Sequence, residues 1–328
     1  MATKETPKKA TGTTTQEAEN TSEQHTPPSE GQHANETGAT TGQKRQHSPS
    51  ASSSKPKAIK TSSSPAPKTA DTSTETVENE DTNTSKIVSF LLSSAALELC
   101  LNSTSLPKTA DENTDSDASS ERKDYFSSNL TPLDHLICAV VLSRPISHNL
   151  GHRTIATILN EPWSWDTAQK ILDAGRENAE GKTGRVEAME DARTQHRQKT
   201  ASELGGMAQV VVDEGWDEDG DGGLKGLLEA VAGDGMAGKI RELVKGKVKG
   251  LGNTGMDIFL RRVQGCQGWE GIGWFVDDKT TDALVKIGLP DNVEELKTLV
   301  GEKREDFVVV LERALGIVLE GKQDEMKV

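Results

Sequence analysis

Two adjacent carboxylates, Asp277 and Asp278, follow the apolar run Trp274-Phe275-Val276. They precede a helical pattern from about Lys279 to Ile287, which Gly288 stops. A single aspartate at a helix start is ordinarily its N-cap. Two in a row leave one for other work. Asp278 stands at the natural cap position, so Asp277 is expected to be the carboxylate free for other work. Upstream, Gly250-Leu251-Gly252 separates two helical patterns. Glycines let the backbone turn sharply and let an anion approach with no Cβ in the way. The N–H groups and dipole at the start of the second helix then favour phosphate. Thr254 lies in that first turn, with Lys245, Lys247 and Lys249 just before it. Gly250, Gly252, Thr254, Lys247 and Lys249 are thus the candidate DNA-phosphate ligands. A purely structural hairpin, with glycine for close packing, reads the same way.

Other clusters carry less. Asp217-Glu-Asp219-Gly-Asp221-Gly222 matches the start of a calcium loop, but Leu228 stands where the bidentate glutamate belongs, so a solvated acidic turn is expected. His148 and His152 share a helix face, yet with His135 and His196 they form no metal-ligand pattern, and surface or capping roles are expected. Cys100, Cys138 and Cys266 are widely spaced and form no Cys-x-x-Cys pair, so they build neither a zinc site nor an iron–sulfur cluster. No cofactor and no metal are expected.

The elements that hold these residues are helical. Residues 1–84 are Ser, Thr, Pro, Lys, Glu and Gln with hardly a large apolar side chain, and read as a disordered tail. Short basic fragments occur there at Lys8-Lys9, Lys44-Arg45 and Lys55-Pro-Lys57. From Ser85, as N-cap, apolar residues recur at helical spacing to Leu99. Residues 102–128 read as an acidic insertion. Thr131-Pro132-Leu-Asp134 opens a helix, and further helices are expected over about 149–160, 164–174, 186–214 with a break near Gly205-Gly206, and 224–231. No long period-two run occurs, so the class is all-α, with one ordered domain over 85–328. The whole chain carries a formal charge of −14, but charge is segregated. Residues 239–262 hold seven Lys/Arg against two Asp/Glu, the footprint of a phosphate binder. No apolar run is long enough to span a membrane.

In the order of these parts the chain resembles the helix-hairpin-helix base-excision DNA glycosylases, the endonuclease III-like superfamily (HhH-GPD). The residues that carry the likeness are Val248-Lys249-Gly250-Leu251-Gly252, Val276-Asp277, and the helix opening Thr131-Pro-Leu-Asp-His-Leu-Ile-Cys. The resemblance covers roughly 85–320. It implies a two-lobed helical fold, double-stranded DNA as partner, a monomer, and nuclear base-excision repair with Asp277 as catalyst. Bifunctional members carry a lysine where Thr254 stands, and the gap from Gly252 to Asp277 is longer than usual. Together these imply a DNA N-glycosylase without Schiff-base lyase activity or, alternatively, a DNA-binding module that has lost catalysis. An interaction scaffold using the acidic loops is a third reading.

Overall fold

The computed structural model describes residues 75–101 and 122–327, with side chains from Thr82. These belong to one compact unit, Thr69–Val328. The expected tail up to residue 74, its basic fragments, and residues 102–121 of the acidic insertion lie outside the described residues. Among the described residues the chain is helical and has no strand, only the isolated bridge Glu177–Thr183.

The N-terminal helix differs from expectation. α1 runs Glu75–Leu92, so Ser85 is internal rather than a cap, and the bond from Ser89 Oγ to Ser85 O lies within the helix. Ser93 takes an extended conformation and opens a separate α2, Ser94–Cys100. Residues 122–128 are partly interior, because Tyr125 is buried.

α3, Pro132–Leu142, begins as its sequence dictates. Thr131 Oγ1 accepts from Asp134 N at 3.2 Å, and Asp134 Oδ2 accepts from Thr131 N at 2.9 Å. This reciprocal cap satisfies two donors that the first turn leaves open. Lys123 Nζ holds the same carboxylate at 2.8 Å. Pro132 through Val141 are all buried, so α3 is a central helix, apolar on nearly every side.

α4, His148–Ile158, is capped by Ser147. α5, Ala168–Asp173, is capped by Thr167, so it starts later than the expected 164. The stretch 186–214 divides into α6, Gly184–Asp191, and α7, Arg197–Asp213. The break falls before α7, not at Gly205-Gly206. Gly205 is buried within the helix, where a Cβ would overlap the Arg185 guanidinium. α8, Lys225–Ala230, and α9, Met236–Lys247, lead to α10, Asn253–Val263. α11, Asp278–Lys286, α12, Val293–Leu299, and α13, Arg304–Leu319, complete the set.

Two apolar clusters result. The larger gathers the middle of the chain, including α3, α7 and α10, around Trp165, Trp216, Trp269 and Phe259. The smaller joins α1 and α2 to α11, α12 and α13 around Leu91, Phe307 and Leu311. α10 packs against α3 in the first and also reaches α13 in the second. Thr131→Ala, which removes the cap of the central helix, is expected to lower stability by about 1 kcal/mol in urea unfolding.

Candidate functional site

The hairpin has the expected helix–turn–helix geometry. Val248 and Leu251 are buried, while Lys249, Gly250 and Gly252 are exposed. Gly250 has φ +90°, a conformation L side chains resist, and a Cβ there would stand 2.5 Å from Glu203 Oε1. Arg144 braces the turn from outside. Its guanidinium donates to Gly250 O at 2.7 Å and pairs with Glu203 at 2.7 Å. Gly255 brings α10 close to the end of α3, since a Cβ would meet Ser143 Cβ at 3.3 Å. α10 begins at Gly252 with no side-chain cap, and Gly252, Asn253 and Thr254 are exposed. An uncapped, exposed first turn presents its N–H groups and positive dipole end to solvent.

The basic patch is smaller than its sequence count. Arg261 and Arg262 are buried, at 3 % and 5 % exposure, and face the interior. Lys247 Nζ lies on Glu214 at 2.7 Å, and Arg241 on Asp257 at 2.6 Å. Lys249 is exposed and pairs with no described acid.

The aspartate pair is also redistributed. Asp277, not Asp278, caps α11: its side chain accepts from Thr280 N at 3.3 Å and from Thr280 Oγ1 at 2.8 Å. Asp278 is the first helical residue and is exposed. Asp277 is therefore not free. Arg261 Nη1 contacts its Oδ2 at 2.5 Å. Burial pushes the Asp277 carboxyl up, but the Arg261 charge and the Thr280 hydrogen bonds outweigh it and hold the group below its ordinary value.

Around this pair lies a buried polar network that local sequence patterns do not reveal. Arg261 Nε reaches Glu312 Oε1 at 2.7 Å. The Tyr125 hydroxyl donates to Glu312 Oε2 at 2.5 Å, and Arg262 Nη1 lies 3.5 Å from the same oxygen. Arg262 donates to Tyr125 O and to His135 Nδ1, and its guanidinium stands 4.0 Å over the Tyr125 ring. Burial also pushes Glu312 up, and again the two arginines and Tyr125 bring it below its usual value. Two buried cations thus meet two buried anions.

The network borders two cavities. One, of about 580 Å³, lies between α10, α13 and the start of α4. Thr254, Arg261, Asp277, Lys279, His148 and Glu312 line it. The other, of about 600 Å³, shares Glu312 and is lined by Phe126, Leu130, His135, Trp269 and Val308. The first brings together Thr254 and Asp277 of the expected site. Gly250, Gly252, Lys247 and Lys249 do not line it, and sit on the hairpin outside.

The remaining clusters resolve plainly. Lys225 Nζ bridges Asp219 and Asp221 at 2.6 and 2.8 Å, so a lysine ammonium fills the acidic turn. His152 is buried, contrary to the surface role expected, and its ring lies 3.9 Å from that of His148. Among the described residues no three His, Cys, Asp or Glu side chains form a metal-binding group. No described helix is long and apolar enough to cross a membrane.

Breaking a buried pair by removing one partner costs about 3–5 kcal/mol, because the other charge is left uncompensated. Glu312→Gln is expected to destabilise on that scale in urea unfolding. The pH dependence has a definite sign. The folded values of Asp277 and Glu312 are depressed, so their stabilisation is complete above the unfolded carboxylate values, about 4, and is lost as pH falls below them. Glu312→Gln is expected to shrink that acid-side loss. No protein-family model, curated protein or solved structure matches this chain.

Proposed function

We propose that the chain binds double-stranded DNA and releases a damaged or mismatched base as a DNA N-glycosylase. The observation that carries this reading is that Thr254, in the exposed first turn of α10, and Asp277 line one cavity. A phosphate held at the α10 N-terminus would set a backbone beside a pocket large enough for an extruded base. The two apolar clusters would be the two lobes of a glycosylase-like fold, with this cavity at their junction. Gly250 and Gly252 let the strand approach, and Lys249 adds sequence-independent attraction.

Breaking the N-glycosidic bond builds positive charge on the sugar. The ionised Asp277 is fixed by Arg261 and Thr280, so it would face that charge without reorganising. With Thr254 at the hairpin position, no amine stands there for Schiff-base chemistry. The reading implies work in the nucleus, as a monomer, without a cofactor.

One observation favours a second reading, a DNA-binding protein without catalysis. Asp277 is already paired with Arg261, which offsets the field that it could exert on a sugar cation. Base release from lesion-bearing duplexes separates the two. Asp277→Asn keeps a residue able to cap α11, and Glu312 still holds Arg261, so the variant is expected to fold. Its base release should fall at least about 100-fold while duplex binding persists. Full activity in the folded variant would sink the assignment. Salt-dependent binding with no release from any duplex would establish the second reading. Lys249→Gln is expected to weaken binding to all sequences alike and to lower the slope of log K against log salt by about 0.9.

A further inference from the structure

His148, the first residue of α4, lines the same cavity as Asp277. Its ring is fixed from several sides. Nδ1 stands 3.4 Å from Glu320 Oε1 at the end of α13, a charge contact rather than a formed hydrogen bond. His152 lies behind it, at 3.9 Å between ring centroids, and has no hydrogen-bond partner on either nitrogen. His152 stacks in turn on Tyr125 at 4.7 Å. On α13, Gly316 lies next to the ring, 3.9 Å from His148 Cε1 to where a Cβ would stand, which is ordinary van der Waals contact. With Nδ1 turned toward Glu320, Nε2 is the nitrogen left for a ligand.

We propose that His148, oriented by Glu320, is the general acid that protonates the departing base, so that the substrates are neutral bases rather than ring-alkylated cationic ones. This rests on the glycosylase reading above. When the C1′–N bond breaks, its electron pair goes to the base nitrogen. A neutral base then leaves as an anion unless it gains a proton. A base with a fixed positive charge leaves neutral and needs none. In the proposed step the His148 Nε2 proton passes to a ring nitrogen or exocyclic oxygen of the base. Water adds its oxygen to C1′ and gives up one proton to solvent, from which His148 is reprotonated. Atoms and charge balance with water as the only co-reactant.

The charges facing His148 are Glu320 and Glu312 from α13, Arg261 from α10 and His152 on its own helix. Burial pushes the imidazole below its ordinary value, and the two glutamates oppose that shift. The protonated form therefore grows as pH falls through and below the ordinary histidine range, about 6.5, while Asp277 stays ionised. Release of a neutral base should accelerate in that window.

The test is single-turnover release from duplexes carrying hypoxanthine, uracil or 7-methylguanine, with wild type, His148→Gln and Glu320→Gln, across pH. His148→Gln is expected to slow release of the neutral bases by about 100-fold or more, to change 7-methylguanine release less than about tenfold, and to flatten the acid-side rise. Glu320→Gln is expected to move that rise to lower pH, and it decides the matter if melting shows His148→Gln to be unfolded. Equal losses on neutral and cationic bases, or an unchanged pH profile in both variants, would overturn the role of His148. Wild-type release of 7-methylguanine but of no neutral base would overturn it too, and leave the glycosylase reading standing. Release of no base at all by wild type would remove both.

Discussion

Arg261 and Arg262 are consecutive, lie in the last turn of α10, and are both buried. Two neighbouring guanidinium groups in an interior are tolerable only if each finds an anion and its donors are satisfied. The partners come from three distant places: Asp277 at the head of α11, Glu312 in the middle of α13, and Tyr125 in the segment before α3. Each must dock on α10 in one register for the charges to cancel. Apolar packing tolerates sliding better than this arrangement does, because a shift of one helical residue turns a side chain by about 100°. The network therefore fixes how the smaller apolar cluster sits on the larger, and with it the shape of the two cavities beside Glu312.

Asp277 shows what that constraint does to chemistry. It caps a helix, neutralises an arginine and forms part of a cavity wall. A carboxylate so engaged is a poor proton acceptor, since its protonated form is disfavoured. It is well suited to act as a stationary negative charge. Any proton that moves in this cavity has to come from another group, and His148 is a titratable side chain in its wall with no strong cationic partner.

Local signals were enough for much of the fold. Thr131-Pro132-Leu-Asp134 contains its own cap, and the hairpin glycines mark the turn that the structure has. These features depend on residues within a few positions of one another. The network does not. Arg261 and Arg262 count as surface charge in a basic segment until Glu312, on another helix, is set against them. A trace existed: both arginines fall within an otherwise apolar stretch of α10, and Glu312 within a similar stretch of α13. The cap of α11 differs from the expected Asp278 for a related reason. Two aspartates in a row are locally equivalent, and only the tertiary pull of Arg261 selects Asp277. Tyr125, the sole tyrosine of the sequence, sits at the edge of a polar, acidic stretch that gave no sign of an interior role.

The smaller apolar cluster joins α1 and α2 to α11, α12 and α13, across the whole intervening domain. α1 and α2 precede the other described helices in the sequence, and most of the apolar surface that covers them comes from α11, α12 and α13, beyond the whole larger cluster. The middle of the chain can meanwhile collapse around α3 once α10, its main partner, has been made. Ile87, Val88 and Leu91 are thus apolar surface that stays uncovered until α11, α12 and α13 have been made. The cavity wall contributed by α13 is therefore completed only after α10 and the start of α11, which line its other sides, have been made.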